Sequence, residues 1–162
     1  MFEVINHTAD IGLRIRAATL EDLFREAAEG MFSLLVEDPA AIREETAVEI
    51  EVAAGSGFVL PSHGGPGESR GVLGVFTPLS EEWADLLHDW LAELLVAFDS
   101  RHWIFRRFDV QFTTTGLRGR AWGEKFHPER HRPRMEIKAV TYHGLEIYLT
   151  ERGYETQVIF DL

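Results

Sequence analysis

Residues 108–126, FDVQFTTTGLRGRAWGEKF, contain two strand-like runs joined by a turn. Residues 108–114 alternate apolar and polar side chains, and Thr115-Gly116 is a turn signal before the second run at 117–126. Three more strand-like runs follow without an intervening helix: RMEIKAV at 134–140, LEIYLT at 145–150 and YETQVIF at 154–160. Strands that follow one another directly along a chain favour an antiparallel sheet. This stretch therefore predicts an α+β fold.

Two amphipathic helices are predicted before these strands. The first begins after Thr19, an N-cap with Asp22 three residues later, and is expected to end near Asp38-Pro39. The second begins at Ser80. Their apolar residues recur at helical spacing, as Leu20, Leu23, Phe24, Ala27, Ala28, Met31, Phe32 and Leu35, and as Trp83, Leu86, Leu87, Trp90, Leu91, Leu94, Leu95 and Phe98. We expect two layers, with both helices on one face of an antiparallel sheet; a mixed sheet is left open.

Earlier strands are predicted on each side of the first helix. ADIGLRIRA at 9–17 alternates Ile11, Leu13 and Ile15 inward with polar residues outward, and TAVEIEV at 46–52 repeats the pattern. The 162 residues fit a single domain, 1–162. Residues 53–78 are rich in Gly and Pro and are expected to form an inserted loop. The loop lacks the G-x-x-x-x-G-K-[ST] pattern of a phosphate-binding loop, and its His63 is expected to be a solvated residue.

Composition and charge narrow the class of protein. There is no cysteine, no apolar run near the ~20 residues of a membrane span, and no signal-peptide pattern, so a cytoplasmic protein without membrane association is expected. The net charge of -11 argues against stable, non-specific nucleic-acid binding. Residues 1–100 hold 5 Lys and Arg against 19 Asp and Glu, whereas residues 101–162 hold 11 against 8. A basic stretch from Arg118 to Lys138 is either a solvated segment or a docking face for an acidic partner or phosphate.

The residues alone offer no complete catalytic set. His127 and His131 are four apart, but Pro128 and Pro133 disfavour the helix that would place both on one zinc-binding face. There is no G-x-S-x-G motif and no thiol nucleophile. His88 and His102 are expected beside and after the second helix. By themselves, Asp10 and Asp161 are typical surface carboxylates.

Three motifs change that interpretation. NHTADIGLRIRAATLEDLFREAAEGMF at 6–32, AWGEKFHPERHRPRMEIKAVTYHGLEI at 121–147 and VIFDL at 158–162 occur in this order. Together they resemble the archease family, which carries H-T-A-D-[IV]-G, then K-A-[IV]-T-Y-H, then a terminal Asp-aliphatic pair. The resemblance covers nearly everything except 53–78.

The resemblance implies a small α+β protein that is not itself an enzyme. It implies activation of the RtcB-type RNA ligase of tRNA splicing and RNA repair, by promoting guanylylation of the ligase, supporting multiple turnover and broadening nucleotide use. The family's divalent site corresponds to Asp10, Asp161 and Leu162, with Ca²⁺ expected and Mg²⁺ or another divalent cation left open. Lys138 falls on the family's activating lysine.

Elementary electrostatics supports such a site. Two carboxylates ~4 Å apart repel by about 4 kcal/mol at an effective dielectric constant of 20, and a divalent cation converts that repulsion into attraction. Oxygen ligands without His or Cys suit Ca²⁺ or Mg²⁺ rather than zinc. Two other functions stay open from the sequence: a general chaperone-like binding module, and a metal-dependent hydrolase that uses the carboxylates and Lys138.

Overall fold

The structure, a computed structural model, describes residues 1–6, 9–61 and 76–162. Its strands are β1 (Phe2–Asn6), β2 (Asp10–Ala17), β3 (Thr46–Ala53), β4 (Thr77–Pro78), β5 (Trp103–Thr113), β6 (Gly116–Lys125), β7 (Ala139–Val140), β8 (Ile147–Thr150) and β9 (Gly153–Asp161). Its helices are α1 (Leu20–Leu35), α2 (Glu81–Arg101) and the single-turn α3 (Pro128–His131), with a 3-10 turn at Pro39–Ala41.

The described strands form two sheets. One has the order β1-β2-β9-β8-β4, with β7 also paired to β9, and the other has the order β3-β6-β5. Every pairing between these strands is antiparallel, which confirms the α+β prediction. The expectation of one sheet under both helices is wrong. The β5–β6 hairpin pairs with β3 in a separate sheet, and α1 contacts β2 of the first sheet and β5 of the second.

The helix ends follow local chemistry. Thr19 Oγ1 accepts a hydrogen bond from the Asp22 N–H at 3.1 Å, which is the predicted N-cap of α1. The helix ends at Leu35, before the predicted Asp38-Pro39, because Val36 is already extended and forms a bridge with Pro133. His102, with φ of 59°, caps α2 in the left-handed region, and its N–H bonds to carbonyls of the last turn.

Trp90 of α2 organises the core between the helices and the second sheet. Its side chain is fully buried, and its Nε1–H donates to the Phe24 carbonyl oxygen of α1 at 3.1 Å. Gly119 of β6 lies under the indole ring, so that a Cβ at this position would be 2.3 Å from the ring. The glycine therefore lets the sheet approach the helix layer. The predicted inward residues Ile11, Leu13 and Ile15 of β2 are all buried, as expected.

Three sequence expectations need correction. β1 was not predicted, although its residues pair with β2 along their whole length. The predicted strand at 134–140 is a strand only at Ala139–Val140. Upstream of it, the Arg134 N–H bonds to the Leu35 carbonyl at the end of α1 instead of to a strand. Finally, β3 continues into the predicted insertion and β4 lies at its end, while His63 and the glycine-rich centre fall within 62–75, outside the described residues.

Candidate functional site

The end of β9 brings the two predicted aspartates together. Asp161 lies directly opposite Asp10 in the β2–β9 ladder. Directly opposite residues of antiparallel strands place their side chains on the same face, with Cβ atoms about 4.5–5.5 Å apart. Ile11 and Phe160, the next residues on both strands, are buried in the core, so the two aspartates belong to the opposite, outer face of the sheet. Asp161 is exposed and Asp10 is half-buried.

Lys138 reaches the same place from the other side of β9. Its backbone N–H donates to the Asp161 carbonyl oxygen at 2.8 Å, and the next residue, Ala139, is the β7 partner of Asp161. The Lys138 side chain is exposed and forms no ion pair with another described residue. Strands β2 and β9 and the residue before β7 thus bring the backbones of Asp10, Asp161 and Lys138 together. His7 and Thr8 of the first motif lie outside the described residues.

The rest of the second motif fixes this geometry. Thr141 donates to the Ile159 carbonyl oxygen twice, from its N–H at 3.0 Å and from its Oγ1 at 2.9 Å. His88 of α2 donates from Nε2 to the Val140 carbonyl oxygen at 2.9 Å, and its ring stacks on Tyr142 at 3.7 Å between centroids. Sequence reasoning placed His88 correctly beside the apolar stripe but missed this contact, since only the fold brings it to Val140.

Comparisons with known proteins identify the family of the chain. The model of the Archease protein family (MTH1598/TM1083) matches residues 2–57 and 75–162. The chain belongs to the archease family. Among similar proteins, "Protein archease" of Pyrococcus furiosus is 33% identical over 166 residues, covering 99% of this chain and 98% of its own. "Protein archease" of Sulfolobus acidocaldarius is 31% identical over 163 residues, with 99% and 98% covered. The solution structure of Methanobacterium thermoautotrophicum protein 1598 has a TM-score of 0.69 and 30% identity, with 99% and 98% covered.

The metal site expected at Asp10, Asp161 and Leu162 would have few donors. No group of three or more His, Cys, Asp and Glu that could hold a metal occurs in residues 1–6, 9–61 and 76–162. The expected third carboxylate is the main-chain carboxylate of Leu162, a residue that is 40% exposed and follows Asp161 directly. The side chains that the structure brings together are the two aspartates, and the main-chain carboxylate would complete the expected set. It is made only of oxygen, which fits Ca²⁺ or Mg²⁺ and not zinc.

The basic stretch is divided between two parts of the fold. Arg118 and Arg120 lie on the outer face of the β3-β6-β5 sheet, where they pair with Glu51 at 3.4 Å and with Glu49 at 2.8 Å. This sheet does not contain Lys138. These arginines therefore form a charge-balanced ladder and not one basic face with Lys138.

His131, the second histidine of the pair, lies in a buried polar network. His131 is fully buried, and its Nε2 donates to Glu124, itself 3% exposed, at 2.8 Å. Its Nδ1 accepts the His127 N–H at 2.9 Å, so that both ring nitrogens are used. Arg130 pairs with Glu124, and the Arg43 N–H also donates to this carboxylate at 2.6 Å. The predicted loop with polar contacts contains α3. Its hydrogen bonds and ion pair join it, through Glu124, to Arg43 in the segment after α1.

Burial, followed by the positive charge of Arg130, lowers the pKa of His131. A proton on Nδ1 would also face the His127 N–H donor, which favours the neutral ring.

Among the described residues, no helix is long and apolar enough to cross a membrane.

Proposed function

We propose that this archease-family chain activates an RtcB-type RNA ligase of tRNA splicing and RNA repair without being an enzyme itself. It promotes guanylylation of the ligase, supports repeated turnover and broadens the ligase's use of nucleotides. The observation that supports this function most strongly is the convergence of Asp10, Lys138 and Asp161 at one end of β9. The absence of cysteine fits the reducing cytoplasm as the place of action.

The proposed cofactor is a divalent cation, with Ca²⁺ preferred. Asp10 and Asp161 would hold it from directly opposite positions, and the main-chain carboxylate of Leu162 would supply the third ligand. When bound, the cation neutralises carboxylates that otherwise repel each other. Its presence would therefore favour the paired arrangement of β2 and β9 at their ends.

Lys138 is the proposed activating residue. It is one of two lysines in the chain, its side chain is exposed, and its backbone N–H bonds to the Asp161 carbonyl oxygen. Lysine is a compact, strongly hydrated charge that suits contact with phosphate or carboxylate groups. We propose that it enters the region where the ligase handles nucleotide and metal.

The test uses the other lysine as a matched control. Lys125 is also exposed, but its Nζ donates to the Arg101 carbonyl oxygen at 2.7 Å and lies 4.2 Å from the Trp103 ring centroid, at the second sheet. Ligase guanylylation and RNA joining are measured with GTP and divalent metal, with each purified variant added over a range of concentrations. Lys138→Ala should suppress the stimulation and keep the melting temperature of the wild type, whereas Lys125→Ala should stimulate the ligase normally.

Two results would contradict this proposal. If wild-type protein leaves the ligase no faster at every concentration, the activator function is wrong. If the pure protein alone turns over nucleotides or phosphoesters, and Asp161→Ala abolishes that turnover, the metal-dependent hydrolase replaces it. Normal stimulation by Lys138→Ala would remove only Lys138 from the site.

A further inference from the structure

The segment that carries Lys138 runs along the exposed side of α2. At one end, Tyr142 stacks on His88, and at the other the Glu136 carboxylate is close enough to Asp99 to raise its pKa, after burial as the larger cause. An extended chain advances about 3.3 Å per residue and a helix about 1.5 Å, so the stretch from 136 to 142 can span up to about 20 Å, enough to cover the roughly 16 Å of helix between His88 and Asp99. Lys138 therefore lies beside α2 between these two contacts.

This side of α2 has exposed apolar groups. Tyr142 is 58% exposed although its ring is stacked, and Val96 is 43% exposed. Asp85, Asp89, Val96 and Asp99 are spaced by four, seven and three residues, which puts them on one stripe of the helix. Single exposed apolar residues are common at protein surfaces, so Tyr142 is singled out here because it lies on the same short segment as Lys138.

The same stripe is negatively charged. Asp85, Asp99 and Glu136 form no ion pair with another described residue, whereas many acidic residues of the two sheets are paired with arginine. Tyr142 stacks on His88, the neighbour of Asp89, and burial, followed by the charges of Asp89 and Asp85, raises the pKa of Tyr142. We call the surface made by Asp85, Asp89, Val96, Asp99, Lys138 and Tyr142 the docking face.

We propose that the docking face binds a basic surface of the RNA ligase, with Tyr142 as its aromatic anchor; this inference rests on the proposed function. An enzyme that joins RNA ends has to present Lys and Arg to the phosphate backbone, so a basic rim surrounds its RNA site. The aspartates of α2 complement such a rim. Because Lys138 lies within the same face, docking there carries its ammonium toward the centre that the rim surrounds.

The experiment measures binding of the full chain to the RtcB-type ligase of the same organism by biolayer interferometry. Tyr142→Ala removes the anchor. Asp99→Lys reverses a charge that is unfavourable for the fold, since it removes the repulsion with Glu136 and places a cation in the last turn of α2. This second variant should therefore be at least as stable as the wild type, and loss of binding cannot come from unfolding.

Glu51→Lys is the matched control. It makes the same change of charge on the outer face of the β3-β6-β5 sheet, where the exposed pair with Arg118 contributes little to stability. We expect Tyr142→Ala and Asp99→Lys each to weaken binding by about tenfold or more, as for a central interface residue, and Glu51→Lys by less than about twofold. The effect of Asp99→Lys should shrink at high salt, whereas that of Tyr142→Ala should persist.

The outcomes separate the two proposals. If the wild type stimulates the ligase and both docking-face variants bind it as tightly as the wild type, the docking face is wrong and the activator function stands. Equal weakening by Glu51→Lys would also overturn the docking face, because a general charge effect would explain it. If the chain alone sediments as a dimer that Tyr142→Ala dissociates, a second copy occupies the face instead. If the wild type neither binds nor stimulates the ligase, both proposals fail.

Discussion

Asp161→Asn should make the metal-free protein slightly more stable and remove its response to calcium. In the β2–β9 ladder Asp161 is directly opposite Asp10, so at about 5 Å the repulsion is about 3 kcal/mol at a dielectric constant of 20 and below about 1 kcal/mol in water. Asp161 is exposed and Asp10 half-buried, so solvent screening favours the lower value, about 0.5–1 kcal/mol. Since 1 kcal/mol changes the melting temperature of a chain of this size by roughly 2–4 °C, the substitution should raise it by about 1–4 °C in EDTA.

Calcium should stabilise the wild type and have little effect on Asp161→Asn. At a free concentration one hundred times Kd, a ligand that binds only the folded state stabilises it by about 2.7 kcal/mol. The wild type should therefore melt roughly 5–10 °C higher in calcium than in EDTA, and Asp161→Asn should change little. Circular dichroism melts in EDTA, Ca²⁺ and Mg²⁺ measure both effects without any ligase.

Asp109→Asn is the control for these melts. Asp109 faces Arg120 in the β5–β6 ladder, so its neutralisation removes an attraction and should lower stability by a few tenths of a kcal/mol. Its calcium shift should equal that of the wild type. The site assignment is refuted if Asp161→Asn is less stable than the wild type in EDTA and keeps the full calcium shift.

Three further predictions concern the fold. Because burial lowers the pKa of His131 in the folded state, its contribution should be complete well above the unfolded value of about 6.5 and be lost as pH falls below 6.5 toward the lower folded pKa. The free energy of unfolding, measured by urea titration from pH 5.5 to 8, should therefore depend less on pH in His131→Gln than in the wild type, and an equal dependence would contradict this. Gly119→Ala should destabilise by about 1–3 kcal/mol in the same assay, because its methyl group overlaps the Trp90 ring, and a neutral effect would mean that the ring moves. Thr19→Ala should lower the free energy of unfolding by about 1 kcal/mol and Ser80→Ala by much less, since of these two N-caps Thr19 makes a side-chain hydrogen bond and Ser80 does not. Equal losses would refute the capping argument.

The helices and most strands were predictable because their signals are local. The apolar spacing of α1 and the cap at Thr19 are both present within one stretch of sequence and agree with each other. The alternation in residues 9–17 likewise gives the buried face of β2 directly. The division into two sheets was not predictable in this way, because alternation shows that a strand has one buried face but not which strands pair.

The segment 134–138 shows why a local pattern can fail. RMEIKAV alternates like a strand, and Ile137 is buried as that pattern requires. Its early backbone groups are used elsewhere, however: Arg134 bonds to the end of α1, and Pro133 has no N–H to donate to a sheet. Alternation was therefore correct for the burial of Ile137, but it was wrong for the hydrogen bonding and for Ala139, which is exposed beside the buried Val140.

The buried contacts of the histidines had no usable signal in the sequence. His131 looked like a loop residue between two prolines, and its burial depends on Glu124, which is seven residues earlier on β6. His88 meets Val140 across 52 positions. In both cases the partner is determined by tertiary packing, so composition and spacing alone could not identify it.

The candidate site depends on register more than on residue type. Asp10 and Asp161 separately look like surface carboxylates, and a shift of the β2–β9 ladder by one residue would place them on opposite faces. The register is held by the core, because Leu13 and Ile15 of β2 and Val158 of β9 are completely buried on the other face of the same ladder. Burial of these side chains thus aligns two like charges that the outer face would not bring together by itself. This arrangement is what a cation site requires, since its ligands have to be held close before the cation arrives, and here the energy that holds them comes from the apolar side of the sheet.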